Sequence, residues 1–175
     1  MNTLFDTPRL LVQSIDLAQD TEALLVIHNH HNTMRWIPNN KAQWTTADLA
    51  QKYQRNTTLY PQQLGLYKIV RKDQNTSVLI GEMGLFPCTP STLTTLEIGY
   101  ILHEKFWKQG LATELLQGLD LFIAQSLPHT IIRAQLFDEN IASKNLLERC
   151  GYQYDGVEPL PGQYRKLIYS KQIIR

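Results

Sequence analysis

The sequence predicts a mixed α/β domain, α+β layers packed around a central sheet. Three observations carry that prediction. A β-rich block from Leu64 to Leu102 holds three consecutive strand patterns separated by polar or proline turns, as an antiparallel meander does. Strand and helix patterns then alternate, the order that builds layered domains. At the junction stands EIGYILHEKFWKQGLATE, Glu97 to Glu114: an alternating strand, an irregular loop and the start of an amphipathic helix.

Taken in order, Arg9 to Ile15 reads as a strand entered through Pro8. Asp16 or Asp20 opens the helix that follows, with a stripe of Leu17, Ala23 or Leu24, and Ile27. It fades into His28-Asn29-His30-His31-Asn32, a polar stretch expected to be a solvated helix end at the edge of a substrate cleft. Histidines at that spacing make poor ligand geometry, and no cysteine or carboxylate cluster adjoins them, so no metal is expected. Pro38 favours extended chain. Thr45-Thr46-Ala47-Asp48 is close to a capping box and predicts a helix over Ala47 to Asn56, with Pro61 closing the region.

Strands are expected over Leu64 to Arg71 and Val78 to Phe86, joined by the polar turn Lys72 to Ser77, with Pro87 and Pro90 bracketing the next turn. In the strand Leu96 to Leu102, Leu96, Ile98, Tyr100 and Leu102 share one face; Glu97, Gly99 and Ile101 share the other. The helix beyond carries Leu111, Leu115, Leu116, Leu119, Phe122 and Ile123 at helical spacing. Pro128 marks a break before a strand over Thr130 to Leu136. A helix from Ile141 to Cys150 has Asn140 as N-cap and Gly151 as its stop. Tyr152 to Val157 and Tyr164 to Ser170 form a closing strand pair around Pro159-Leu160-Pro161-Gly162. Without repeat, low-complexity tract or linker, residues 1–175 are expected to form one domain.

Composition bounds the function. A chain of 175 residues with 43% hydrophobic and 19% charged content is long enough for a proper core. A net charge of +1 gives no electrostatic case for nucleic acid or an anionic membrane. Cys88 and Cys150 belong to no CxxC pattern and, with no apolar leader in MNTLFDTPRL, read as free thiols of a cytoplasmic protein. No apolar run reaches the length of a membrane span, and no oligomer interface is marked in the sequence.

The loop Trp107-Lys108-Gln109-Gly110-Leu111-Ala112-Thr113 puts glycine and small alanine where a helix begins. Helix beginnings leave backbone N–H groups without partners at the positive end of the dipole, a ready anion site. The Walker A pattern GxxxxGK[ST] is absent, and a lone Gly110 after a meander strand does not make a dinucleotide fingerprint. From these residues alone two readings stand: an anion loop, or a plain turn with Trp107 as a core anchor.

The wider set decides between them. Glu97-Ile98-Gly99-Tyr100, Trp107-x-x-Gly110-x-Ala112-Thr113-Glu114, Asn140-x-x-Ser143 and Gly151-Tyr152 together resemble the GNAT superfamily of acetyl-CoA-dependent N-acetyltransferases. Thr7-Pro8-Arg9-Leu10-Leu11-Val12 and Tyr164-Arg165-x-x-x-Tyr169-Ser170 resemble its RimJ/RimL branch, which acetylates ribosomal-protein N-termini. The resemblance implies a mostly antiparallel twisted sheet flanked by helices, whose strand ending at Leu102 splays from its neighbour at a bulge. It implies that backbone groups around Ile101 and Leu102 pair with the pantetheine arm. The N–H groups from Lys108 or Gln109 through Gly110, Leu111 and Ala112 to Thr113 would hold the pyrophosphate. Asn140 would contact the arm, with Ser143 one turn further along.

The implied reaction is acetyl transfer from acetyl-CoA to a primary amine, the α-amine of a (ribosomal) protein first; a small amine is the alternative, and a non-catalytic acyl-CoA sensor the reading from another class. An α-amine has a reference pKa of about 7.7–8.0 against about 10.4 for lysine, so a modest base suffices. Glu97, acting through water, is the candidate base, with a paired structural carboxylate as its alternative. Many relatives carry a tyrosine seven residues after the asparagine; here Leu147 stands there, which shifts attention to Ser143 as general acid. Lys166 replaces an acidic residue common in the ribosomal branch. Asp48, Glu82, Asp155 and Glu158 form no obvious cluster, which favours a peptide over a polycation. Tyr152 reads as packing, Cys150 as inert, and Trp36, Trp44 and the histidine stretch as cleft wall.

Overall fold

The computed structural model describes residues 2–38, 41–73, 76–89, 92–127, 130–159 and 165–174. Its strands are β1 (Thr3–Asp6), β2 (Leu10–Ser14), β3 (Gly65–Lys72), β4 (Ser77–Thr89), β5 (Thr92–Leu102), β6 (Ile131–Phe137), β7 (Gln153–Pro159) and β8 (Arg165–Gln172). They form one eight-stranded sheet in the order β1-β2-β3-β4-β5-β6-β8-β7. The β5–β6 pair is parallel and the other neighbours are antiparallel. The helices are α1 (Leu17–His28), α2 (His31–Met34), α3 (Thr46–Tyr53), α4 (Asn56–Leu59), α5 (Leu111–Ser126) and α6 (Ile141–Arg149). No described helix is long and apolar enough to cross a membrane.

Local chemistry sets the helix boundaries. The Asp16 side chain accepts from Ala18 N at 3.0 Å and starts α1. Thr45 and Asp48 exchange the two bonds of a capping box and start α3 one residue earlier than the pattern suggested. Asn140 Oδ1 accepts from Ser143 N at 3.2 Å, and Gly151, at φ +83°, follows the end of α6.

The main core lies between one sheet face and α5 with α6. Leu10, Val12, Ile69, Met83, Leu85, Leu96 and Ile98 pack there with Leu115, Leu116, Leu119, Ile123 and Leu147. Each fully buried aliphatic side chain contributes about 1.5–3 kcal/mol. At Gly118 an added Cβ would stand 2.5 Å from Thr7 Cγ2, so α5 needs glycine there to approach the start of the chain. Two smaller clusters cover the other face: Leu24, Leu49 and Tyr53 from α1 and α3, and Ile27 and Met34 against Ile101. Helices therefore cover both faces of the sheet around β3 to β5.

Three expectations change. β1 is an added edge strand of four residues, paired only with β2. β4 runs through Pro87 to Thr89, past the point where the sequence placed the start of a turn; Pro90 lies outside the described residues. Proline is tolerated because β3 ends at the Gly65–Leu85 pair, so the side of β4 to which Pro87 turns its nitrogen has no strand to bond. The register break falls between Ile69 and Val70 of β3, opposite Ile80, and none interrupts the β4–β5 pairing from Phe86–Glu97 to Gly81–Leu102. The bulge expected on β5 is thus absent there. The centre of the Lys72–Ser77 turn, the break at Pro128, and Leu160 to Tyr164 also lie outside the described residues.

Candidate active site

The strand β5 leaves its parallel partner early. Pairing with β6 runs from Thr95–Ile131 to Ile98–Ala134, yet β5 continues to Leu102 and β6 to Phe137. The two strands diverge from Gly99 onward and open a crevice. His103 N donates to Ile80 O at 2.8 Å, which makes Leu102–Gly81 a non-hydrogen-bonded pair of the antiparallel ladder. The alternation then turns the backbone groups of Leu102 and Tyr100 into the crevice and those of Ile101 toward Glu82 on β4. Leu102 O is already taken by Trp107 Nε1 at 2.6 Å. The crevice groups left open are Tyr100 N–H and C=O and Leu102 N–H. Ile101, expected to offer its backbone here, offers only a buried side chain on the α1 side.

Below the crevice the loop turns sharply into α5. Lys108 and Gly110 have φ of +59° and +76°, and Gly110 caps the 16-residue helix with no side-chain bond. The first-turn N–H groups around Leu111, Ala112 and Thr113 therefore point outward without a capping side chain. Distant residues hold this loop. Arg9 Nη1 donates to Gln109 O at 2.9 Å, and Glu114 accepts from Thr7 Oγ1 at 2.6 Å, Arg9 N at 2.7 Å and Arg9 Nε at 2.6 Å. Arg71 Nη1 and Lys105 O fix the Gln109 side chain. Trp107 is half-buried against the main core, as the anchor reading expected.

Glu97 and Ser143 approach the crevice from opposite faces of the sheet. Glu97 is half-buried, with Phe86 beside it on β4 and Arg133 beside it on β6. Next to it lies Gly99, where an added Cβ would meet nothing within 4 Å, so the floor of this face is open. On the other face Tyr100 Oη lies 3.2 Å from Ser143 Oγ. Burial pushes the Tyr100 phenol up to about 12, which keeps its proton in place. Leu147 is buried in the main core. Asn140 Oδ1 is engaged in the cap of α6, and its Nδ2 remains available to donate. Tyr152 is buried and Cys150 half-buried, the latter with its thiol pushed up by burial.

The histidine stretch is a solvated end only in part: Asn29, His31 and Asn32 are exposed, but His28 is not. His28 is 1% exposed, with Nε2 3.1 Å from Tyr53 Oη and 3.4 Å from Glu82 Oε2, and its ring rests on Trp44 at 4.6 Å. Lys52 Nζ donates to Glu82 Oε1 at 2.6 Å, and Tyr53 Oη to Oε2. His30 stacks instead on His103 at 4.4 Å. His31 is exposed, and no group of three or more metal-ligating side chains occurs among the described residues. Beside this network Lys68 makes a two-oxygen pair with Asp20 at 2.8 Å, which ties β3 to α1.

Burial alone would raise the Glu82 carboxyl; the His28 bond and the Lys52 charge outweigh it and hold the group at about 2. Its folded value lies below the unfolded value of about 4.3, so the stability it lends is complete above that value and fades as pH falls toward about 2. Removing one partner of a buried pair costs about 3–5 kcal/mol. Glu82→Ala is expected to lose stability of that order in urea unfolding at neutral pH. The difference from the parent chain should shrink below about pH 4; a constant difference down to pH 2 would remove the charge from the account.

Comparisons with known proteins agree with this fold. Residues 9–153 match the acetyltransferase (GNAT) domain family. The chain is 28% identical over 160 residues to the uncharacterized N-acetyltransferase YoaA of Bacillus subtilis strain 168, covering 90% of this chain and 86% of that protein. Among solved structures, a GNAT-family acetyltransferase of Bacillus anthracis superposes with a TM-score of 0.80 at 20% identity, covering 96% of this chain and 97% of that one. RimL, a ribosomal L7/L12 alpha-N-protein acetyltransferase solved with coenzyme A, superposes with a TM-score of 0.79 at 20% identity, covering 98% of each chain.

Proposed function

The chain belongs to the GNAT family of acetyltransferases, and from that premise we propose that its acceptor is the α-amine at the N-terminus of a protein or peptide. It is an acetyl-CoA-dependent N-acetyltransferase. The observation that carries the acceptor reading is the open floor at Gly99 beside one half-buried carboxylate, Glu97. Glu82, further along the same face, is spent on His28, Lys52 and Tyr53, which leaves no acidic cluster of the kind a polycation needs among the described residues. The whole-length likeness to RimL adds support in fold alone.

The residues present fit the co-substrate. In this reading the uncapped N-terminus of α5 and its Gly110 turn receive the pyrophosphate on the N–H groups from Lys108 and Gln109 to Thr113. Tyr100 and Leu102 offer their crevice backbone groups to the pantetheine arm, and Asn140 offers Nδ2. Acetyl-CoA supplies the acetyl group as a thioester, which the acceptor nitrogen attacks, so that a C–N bond forms, the C–S bond breaks and coenzyme A leaves as the thiol.

The chain's own groups move the protons. Glu97 draws a proton from the amine through water, and at neutral pH the low pKa of an α-amine makes that step cheap. The N–H of Tyr100 or Leu102 faces the carbonyl oxygen as charge builds on it. Tyr100 Oη and Ser143 Oγ, 3.2 Å apart, form a hydroxyl pair on the leaving-group side. Tyr100 thereby fills the role vacated at Leu147, with Ser143 as its relay. Residues 1–175 act as one catalytic domain in this account.

A screen of peptides and small amines, read by intact mass, tests the proposal. Peptides with a free α-amine should gain one acetyl group, and the same peptides blocked at the α-amine with lysine left free should not. Acetylation confined to polyamines or aminoglycosides would overturn it.

A further inference from the structure

We propose that Arg133 selects acceptors that carry an oxyanion next to the reacting amine, so that preferred N-termini have Asp or Glu among their first two residues. This rests on the acceptor reading above and refines it.

Arg133 lies beside Glu97 on the neighbouring parallel strand, and side chains paired in this way leave the same face of a sheet about 5 Å apart. That face is the one floored by Gly99. The neighbouring positions Ile132, Ala134 and Leu136 are buried on the other face under the main core. The Cys88 thiol, pushed up by burial and then by Glu97 and held back by Arg133, shows that these charges face a common space.

Arg133 is unspent. Its Nε is fully buried without a hydrogen-bond partner, and no ion pair among the described residues involves it. The buried Nε is closed to a ligand, whereas Nη1 and Nη2 are not among the buried unpartnered atoms and no acceptor among the described residues takes them, so they are the donors open to an incoming group. Glu97 is the nearest carboxylate in register, yet the two do not pair. A guanidinium presents donors matched to a carboxylate, so the group that suits the open Nη edge is an oxyanion.

The charge along the same face continues the pattern. Beyond Arg133 come Gln135 and, across β8, Lys166, whose Nζ lies 3.5 Å from Gln135 Oε1. Glu158 of β7 stands opposite Lys166 and is exposed. The strip thus runs from one carboxylate, Glu97, through Arg133 and Lys166 to a second, Glu158, at its far end, and Arg133 is the cation beside Glu97. An amine drawn to Glu97 would have its own negative group carried onto Arg133. An extended peptide advances about 3.4 Å per residue, so a side chain from the first or second residue spans that gap.

Two sources share this chemistry: an acidic side chain of a peptide N-terminus, and the α-carboxylate of a free amino acid. The experiment separates them. Peptides differing only by Asp, Asn or Lys at the second position, together with free amino acids and their amides, are assayed by thiol release with the parent chain, Arg133→Gln and Arg133→Glu. Unchanged acetyl-CoA affinity and thermal midpoint serve as the folding control.

The parent chain should favour the Asp over the Asn peptide by about 10-fold or more in kcat/KM, chiefly through KM, and that ratio should fall with salt. Arg133→Gln should bring it close to one, and Arg133→Glu should turn the preference toward Lys. Equal use of Asp, Asn and Lys peptides, or a preference that survives Arg133→Gln, overturns the assignment while leaving N-terminal acetylation standing. Turnover of free amino acids but not their amides, lost in Arg133→Gln and without any peptide turnover, supports the role of Arg133 and overturns the N-terminal reading. Silence on every amine overturns both.

Discussion

Replacing Gly110 with glutamate is expected to abolish measurable acetyl-CoA binding while leaving the fold intact. The position has φ +76°, where a side chain costs roughly 1–2 kcal/mol in strain. The larger effect is charge. A carboxylate at the mouth of α5 would oppose the pyrophosphate, and two unit charges 4 Å apart repel by about 4 kcal/mol at an effective dielectric of about 20. Half of that repulsion already weakens binding about 30-fold. Gly110→Ala separates the two contributions: its Cβ would meet only Arg9 Nη2, at 3.4 Å, so it should lose no more than the strain accounts for. Calorimetric titration with acetyl-CoA reads both variants. Equal affinity of Gly110→Glu and the parent chain would remove the loop from the site.

Glu97→Gln is expected to lower kcat by about 10²–10⁴-fold near neutral pH, the range for loss of a positioned base. Acetyl-CoA affinity should stay the same, because the proposed cofactor contacts lie elsewhere: on the crevice backbone, the α5 loop and Asn140. The loss should shrink as pH rises through the α-amine's own value of about 8, since the amine then reaches the thioester neutral without help. Steady-state rates across that interval check the sign. Unaltered kinetics at every pH would return Glu97 to a structural role beside Phe86 and Arg133.

The parts of this fold legible in the sequence are those set by local chemistry. The Asn140 cap, the Thr45–Asp48 box, the face alternation of Leu96 to Leu102 and the glycine entry to α5 depend on residues within a turn of one another. What escaped depends on partners far along the chain. Thr7 and Arg9 meet Glu114 across more than 100 positions, and nothing near either end announces the other. Lys68 occupies what looks like a solvent position of a strand, yet it is 4% exposed because Asp20 reaches it from α1. His28 ends a helix that packs onto the sheet, so it meets Glu82 in place of water.

The catalytic outline was partly legible for the same reason. Glu97 and Ser143 are visible as residues, but the Tyr100–Ser143 contact joins a strand to a helix 43 positions later. That Tyr100, not Ile101, turns its backbone groups into the crevice follows from the ladder phase of β4 and β5, which the bond from His103 to Ile80 fixes and no local pattern encodes. Arg133 looks like any polar residue of an alternating strand until its register with Glu97 and its unmet Nε are known.

A crystal structure with acetyl-CoA bound tests the central claim most directly, namely that the β5–β6 crevice and the mouth of α5 form one cofactor site beside Glu97. The pyrophosphate is predicted within hydrogen-bond distance of backbone N–H groups between Lys108 and Thr113. The pantetheine should be bonded to Tyr100 and Leu102, and the acetyl group should lie over Gly99. Acetyl-CoA lying outside the crevice, with the amides of α5 facing water, would contradict it.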